Sequence, residues 1–260
     1  MRGRRPAPKP AASPASLGGE QVEGRQAVRE LLAARRRRAR EVWIADEAAE
    51  NAVLAEITDL AAEARVPVRR VPRGRLDAAA RTDAPQGVLA RAEPLPEAEL
   101  ASLATADGGP TPFLLVLDGV TDPHNLGALL RTAVCAGATG AVLGRHRAAH
   151  VTPTVAKAAA GAVEHLPMAL VPGIPAALAE LGRAGVWTVG LAADGERPIH
   201  ELGLADQPVA LVLGSEGKGL SRLARQRCDV VAAIPLRGPI GSLNVAAAGA
   251  VAAFTFALAR

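Results

Sequence analysis

The chain has 260 residues, 49% of them hydrophobic, enough for one large or two modest domains with a sizeable buried core. Its formal net charge of +4 is matched by Arg2, Arg4, Arg5 and Lys9 in an acid-free start, so residues 18–260 are balanced and basicity alone says little about a nucleic-acid partner. Aromatic residues are scarce, with no Tyr and only Phe113, Phe254, Phe256, Trp43 and Trp187, which argues against base stacking on an aromatic sheet and leaves Arg, Lys and backbone donors for any RNA grip.

Residues 1–17 mix Arg, Lys, Pro, Ala and Ser without periodicity and are expected to be a disordered basic tail, either a tether to phosphates or simply solvated. Residues 18–92 alternate helix and strand. Helices are expected at Gly24–Ala34, Asn51–Ala64 and Leu76–Ala80, and strands at Glu41–Ala45, Pro67–Val71 and Gly87–Ala90. Arg25, Arg29, Arg35–Arg38 and Arg40 cluster at the first helix and the turn after it. That run reads equally as a solvated helix end or an RNA-facing surface. Residues 93–112, rich in Pro, Gly and acid, read as an inter-domain linker with one helical turn at Glu97–Leu103.

From Phe113 onward, apolar strand runs again alternate with helices. Strands are expected at Leu114–Asp118, Ala141–Leu143, Pro167–Val171, Val186–Leu191, Val209–Leu213 and Val230–Pro235. Helices are expected at Leu126–Ala136, Pro175–Ala184, Arg222–Arg227 and Val245–Leu258. The pattern is α/β, a mostly parallel sheet covered on both faces, with ligands expected beyond the carboxyl ends of the strands. Cys135 and Cys228, far apart in apolar surroundings, make neither a disulfide framework nor a metal-ligand pattern and are expected to be buried thiols in a reducing cytoplasm. No signal-peptide pattern and no run of about 18 uncharged apolar residues is present, so no membrane span is expected.

Three polar segments each follow an expected strand. The first, Asp118 to Ala133 (DGVTDPHNLGALLRTA), runs through a Pro-marked turn into a helix, with Asn125 as the expected N-cap and Arg131 two turns along. Alone, Arg131 reads as a surface arginine. The second, Leu213 to Leu220 (LGSEGKGL), fits neither the P-loop nor the dinucleotide-binding spacing, but its glycines allow a backbone close to a ligand. The third, Ile234 to Ala248 (IPLRGPIGSLNVAAA), opens a helix with Ser242 and Asn244. Singly, each is an ordinary turn or capped helix.

In this order after successive strands, the three segments resemble motifs 1, 2 and 3 of the SpoU (TrmH) family of RNA methyltransferases, within the SPOUT superfamily. The resemblance covers 113–260. The family's Asn and Arg fall on Asn125 and Arg131, its Gly-x-Glu-Gly on Gly214, Glu216 and Gly217, and its Ser-Leu-Asn on Ser242, Leu243 and Asn244. Lys157–Glu164 (KAAAGAVE) resembles a further family segment, with Ala159 where Ser is common, and no catalytic role is assigned to it. Gly24–Val28, the strand containing Pro67 and Gln86-Gly87-Val88 resemble, more loosely, the L30e-like substrate-binding domain of the ribosomal RNA members.

The resemblance implies a trefoil-knotted methyltransferase domain at 113–260, an L30e-like domain at 18–92, and a homodimer without membrane or metal requirement. It implies transfer of a methyl from S-adenosylmethionine to a ribose 2′-hydroxyl, with a guanosine of 23S ribosomal RNA as the favoured target. Backbone around Leu213, Gly214, Glu216, Gly217, Ile234, Leu236, Ser242 and Leu243 would hold the cofactor. Arg131 would be catalytic, with Asn125, Glu216, Ser242 and Asn244 positioning it and the loops. An arginine stays protonated, so charge stabilisation is favoured over proton abstraction. His124, His146 and His150 lie near this region and are not required by the displacement chemistry. Alternatives are another RNA target, such as ribose 18 of tRNA or the ribosomal site linked to thiostrepton resistance, and a non-catalytic ribosome-assembly factor. The last predicts loss of Arg131, Glu216 or Asn244, and all three are present.

Overall fold

A computed structural model describes residues 16–48, 51–145 and 150–260. Arg2, Arg4, Arg5, Lys9 and His146 lie outside the described residues. The described residues form two sheets. The first is built from β1 (Gln21–Glu23), α1 (Arg25–Ala34), β2 (Ala39–Ala45), α2 (Ala52–Glu63), β3 (Val68–Val71), α3 (Arg73–Ala79) and β4 (Val88–Ala92). Its strand order is β1-β4-β2-β3, with only the β2–β3 pair parallel.

Period-two alternation decides the faces of this sheet. Val42, Ile44, Val88 and Ala90 meet Val28, Leu31, Leu32, Leu54 and Ile57 from α1 and α2. Trp43, Ala45, Val71 and Leu89 point the other way, under Leu76 of α3. β1 was not expected, because three residues bearing a carboxylate give no strand signal. Glu23 is fully buried and is satisfied by the backbone N–H groups of Arg81 (2.7 Å) and Thr82 (3.0 Å), the Thr82 hydroxyl (2.5 Å) and the Gln21 amide (2.6 Å).

One expectation for a connecting segment is corrected and a second gains detail. Leu17, placed in the disordered tail, is fully buried, and its carbonyl accepts from the Val151 N–H (2.8 Å). Residues 93–112 form a helical turn within the expected Glu97–Leu103 and also pack into the fold. Leu95, Leu100 and Leu103 are buried, α4 (Leu100–Leu103) forms, and Ala98 donates to the Met168 carbonyl at 2.8 Å. The Pro and Gly content hid leucines that have a core to enter.

The second sheet comprises β5 (Phe113–Asp118), α5 (Pro123–Cys135), β6 (Gly140–Gly144), α6 (Pro153–Ala158), β7 (Met168–Val171), α7 (Ile174–Arg183), β8 (Trp187–Leu191), β9 (Arg197–Pro198), β10 (Val209–Gly214), α8 (Arg222–Arg227), β11 (Val230–Ala233) and α9 (Val245–Ala259). All seven strands are parallel, in the order β7-β6-β5-β10-β8-β11-β9. Core side chains from α5, α6 and α9 cover one face, and those from α4, α7 and α8 the other. α6 was not expected, although Thr152 and Pro153 carry a capping signature: the Thr152 hydroxyl accepts from Val155 N–H at 3.4 Å. Among the described residues, no helix is long and apolar enough to cross a membrane.

The thiol expectation is half corrected. Cys135, at the last turn of α5, is exposed. Cys228 is half-buried, and burial, with the nearby Asp229 and Asp118 charges, pushes its thiol up to about 12.

Candidate active site

The three polar segments leave the carboxyl ends of β5, β10 and β11. β5 and β10 are neighbours, with Asp118 and Gly214 in register. β11 lies two strands further on, so its chain must travel back across the sheet edge to start α9. It does so through residues 234–244, which form no regular structure. α9 then seats directly on α5 and β10: a Cβ on Gly249 would stand 2.3 Å from Leu129 Cδ2 and 2.8 Å from Leu213 Cδ1. A larger residue there would force the Leu129 and Leu213 side chains to move.

This return brings Asn244 to Asn125. The Asn244 amide donates to the Asn125 side-chain oxygen (3.1 Å) and to Glu216 Oε1 (3.3 Å), while the Asn125 amide donates to Glu216 Oε2 (3.0 Å). One residue from each segment thus enters a closed triangle of hydrogen bonds. The Asn244 oxygen also caps α9, accepting from Ala246 and Ala247 N–H at 2.8 and 3.4 Å.

Asn125 is not the N-cap of its helix. The helix starts earlier, at Pro123, and Asp122 is the cap, accepting from Asn125 N–H at 2.7 Å. Asp before Pro is the stronger start signal, since Pro at the first helical position has no N–H to satisfy. Relieved of capping, the Asn125 side chain is free to bind Glu216. Asp118 was also missed: its carboxylate accepts from Ser221 N–H at 2.6 Å and ties the end of β5 to the residue that caps α8.

Glu216 is presented by a tight loop. Ser215 and Gly219 exchange backbone hydrogen bonds of 3.0 and 2.8 Å, and Gly217 and Gly219 take left-handed φ angles of 78° and 65°. A Cβ on Gly214 would lie 2.0 Å from the Gly219 carbonyl carbon, so the strand end and loop touch backbone to backbone. Arg131 and Ser242 are exposed and make no hydrogen bond or ion pair among the described residues. Leu213 is buried, so only its backbone could face a ligand, while Leu236 and Leu243 expose apolar side chains (39% and 43%) on the returning loop. His124 is exposed, and His150 Nδ1 lies 2.8 Å from the Ser16 carbonyl.

On the first sheet, the Trp43 ring is 8% exposed beneath Arg75 and Arg91, whose guanidinium carbons stand 5.1 and 5.3 Å from its centroid. The ring is therefore no base-stacking platform. It holds two arginines at the surface beside Arg69 of β3. The Arg35–Arg38 run divides: Arg35 pairs with Glu63 at the surface (2.7 Å), whereas Arg37 is buried against Glu164.

Residues 112–254 match the SpoU rRNA Methylase family, and residues 21–98 match RNA 2′-O ribose methyltransferase substrate binding. The chain is 40% identical over 238 residues to the 23S rRNA (guanosine-2′-O-)-methyltransferase RlmB of Pseudomonas putida, covering 90% of this chain and 94% of that protein. It is 45% identical over 190 residues to the protein of the same name from Ralstonia nicotianae, covering 72% and 76%. The SpoU methyltransferase AviRb from Streptomyces viridochromogenes, solved in complex with the cofactor AdoMet, shares the fold at a TM-score of 0.76 and 24% identity, covering 92% of this chain and 90% of that one. With three motifs meeting in one triangle and a family match across the whole second sheet, the chain belongs to the SpoU rRNA methylase family.

Proposed function

We propose that this chain transfers a methyl group from S-adenosylmethionine to a ribose 2′-hydroxyl of RNA, and that the target is a guanosine of 23S ribosomal RNA. The closed Asn125–Glu216–Asn244 triangle carries the reading, because it joins three loops at the ligand-binding edge of a parallel sheet. The relatives named for 23S rRNA support the target, as does the substrate-binding match in the first unit. The domain division is 18–92 for RNA binding and 113–260 for chemistry. The path from β10 to α9, which returns across the sheet edge, is where the family's trefoil knot would lie.

The site suits the cofactor. Leu236 and Leu243 offer exposed apolar surface at the rim, and the glycine-built loop after β10 presents backbone without side-chain obstruction. Backbone at Leu213, Gly214, Glu216, Gly217, Ile234, Leu236, Ser242 and Leu243 would hold it. When bound, S-adenosylmethionine supplies an electrophilic methyl on a sulfonium centre.

The chain's own task is to make a weak nucleophile reactive. Arg131 offers guanidinium donors to a developing alkoxide. Asn125, Glu216 and Asn244 fix the loops relative to the helix that carries Arg131, and the Ser242 hydroxyl stands exposed two residues before Asn244. In the family, Arg131 of one protomer would serve the cofactor of its partner, so the active form is a homodimer. A ribosomal RNA substrate supports a cytoplasmic location.

The test is to incubate the protein with radiolabelled S-adenosylmethionine and either 23S rRNA fragments or total tRNA, then map the methylated ribose. Label in tRNA alone overturns the ribosomal target. Label in neither, with the cofactor bound, favours a non-catalytic assembly factor.

A further inference from the structure

The Lys157–Glu164 segment, notable in the sequence but without a part in the chemistry, lies between the two units. Its first turn packs on α5. A Cβ on Gly127 would stand 2.5 Å from Ala158 Cβ and 2.8 Å from the Val155 carbonyl oxygen, so the two helices meet with nothing between them. Its far end packs on α1. A Cβ on Gly161, at φ +83°, would stand 2.5 Å from Glu30 Cβ and 3.0 Å from Ala27 Cα. The segment is therefore a spacer of fixed thickness between the helix bearing Arg131 and the first helix of the RNA-binding unit.

Polar contacts fix the sideways register of that spacer. Glu164 and Arg37 form a two-bond fork, Nη2 to Oε1 at 2.6 Å and Nε to Oε2 at 3.0 Å, with side chains only 1% and 3% exposed. The remaining Arg37 nitrogen donates to the carbonyls of Gly19 (2.7 Å) and Glu93. Arg36 donates to the Glu164 carbonyl at 3.3 Å, and Lys157 to that of Ala84. His165 Nε2 lies 2.6 Å from Glu30 Oε2.

A buried ion pair contributes little net stability, because desolvation offsets much of the attraction. What it supplies is geometry: a planar fork on a carboxylate tolerates small displacements poorly. We propose that Arg37 and Glu164 are positioning residues that set the reach from the RNA-binding unit to Arg131, and so select which ribose of a bound RNA is methylated. This inference rests on the reaction proposed above. A domain free to swing on its connection would expose several riboses in turn, whereas this one is held as a ruler.

The experiment uses the full chain, tritiated S-adenosylmethionine and a 23S rRNA fragment containing the wild-type target. Glu164→Gln keeps the shape and removes the charge. The expected result is unchanged cofactor affinity, a kcat/KM lowered by about tenfold or more, and label spread onto neighbouring riboses, since small misplacements far from the chemistry are costly. Wild-type site choice and kcat/KM in that variant would overturn the ruler. If Glu164→Gln loses its cooperative melt, the volume-matched pair Arg37→Met with Glu164→Leu decides the question by the same readouts. Loss of the melt in both variants also overturns the proposal, because the pair would then hold the fold and not the reach. Wild-type protein that labels no RNA removes the proposed reaction itself, a result distinct from all of these.

Discussion

Asn244 and Asn125 share a 3.1 Å hydrogen bond across 119 positions of sequence, and each also binds Glu216. Asn244 therefore does two things at once: its oxygen caps α9 and its amide closes the triangle. Neither loop can shift without breaking a bond in the other.

These two tasks separate by mutation. Asn244→Ala loses both, with a cap cost of about 0.5–2 kcal/mol and a fall in turnover. Asn244→Asp keeps the capping oxygen but loses the amide donors and sets a carboxylate beside Glu216. The expected outcome is a melting temperature near wild type with turnover close to that of Asn244→Ala. Turnover near wild type in the Asp variant would mean that the triangle is not needed.

Arg131→Ala is expected to lower turnover by about 10²–10³-fold, the usual size for a donor to developing negative charge. Cofactor affinity should hold, because the loops that would enclose it do not depend on this exposed side chain. Arg131→Lys, which keeps charge without the fork, should recover part of the loss. Isothermal titration with S-adenosylmethionine and single-turnover methylation of rRNA measure the two quantities. Equal rates in the Ala variant would remove Arg131 from the mechanism.

Much of this was legible in the sequence because strand and helix periods are local. The strand after Phe113 and the helix after Asn244 both lie where apolar spacing puts them. The motif residues named the candidates, but only the fold shows that Asn125 binds Glu216 instead of capping its own helix. β1 and the Arg37–Glu164 pair were illegible for one shared reason. Each depends on a buried charge whose partners lie far away in sequence, 58 or 59 positions for Glu23 and 127 for Arg37. A charge run reads as solvent-facing until its partner is known.

The two arginines over Trp43 offer a surface test of RNA binding. Arg75→Ala and Arg91→Ala should each weaken binding to an rRNA fragment and, where the guanidinium meets a phosphate, reduce the slope of log affinity against log salt by about 0.7–0.9. The melting temperature should change little, because both side chains are exposed. Filter binding between low and moderate salt gives the slopes. Slopes equal to the wild-type slope in both variants would place the RNA elsewhere on the unit.

The two thiols should differ in reactivity. The thiolate is the attacking form, and burial holds the Cys228 thiol at about 12. At pH 8, iodoacetamide should therefore label exposed Cys135 quickly and leave Cys228 unmodified, as read by peptide mass spectrometry. A thiol raised from its usual 9.0 favours folding fully below that pH, and the contribution is lost as pH climbs from 9.0 towards about 12. Cys228→Ser should flatten that alkaline decline.

α9 carries no charge along Val245–Ala259 and is apolar on every side, a composition suited to a helix covered all round. In one chain it is covered on one side only, where its own Gly249, Ala252, Ala253 and Phe256 are buried, while Val251, Phe254 and Leu258 remain 44%, 40% and 85% exposed. Those three recur at helical spacing and form a stripe. A second copy covering it would give the homodimer in which Arg131 serves the partner. Phe254→Glu with Leu258→Glu places like charges on both copies of that stripe and should yield a monomer by light scattering. Turnover should fall with the dimer, while each monomer keeps its cooperative melt, because neither side chain belongs to the buried face. A wild-type protein that is monomeric at assay concentration and still turns over would rule the dimer out of the mechanism.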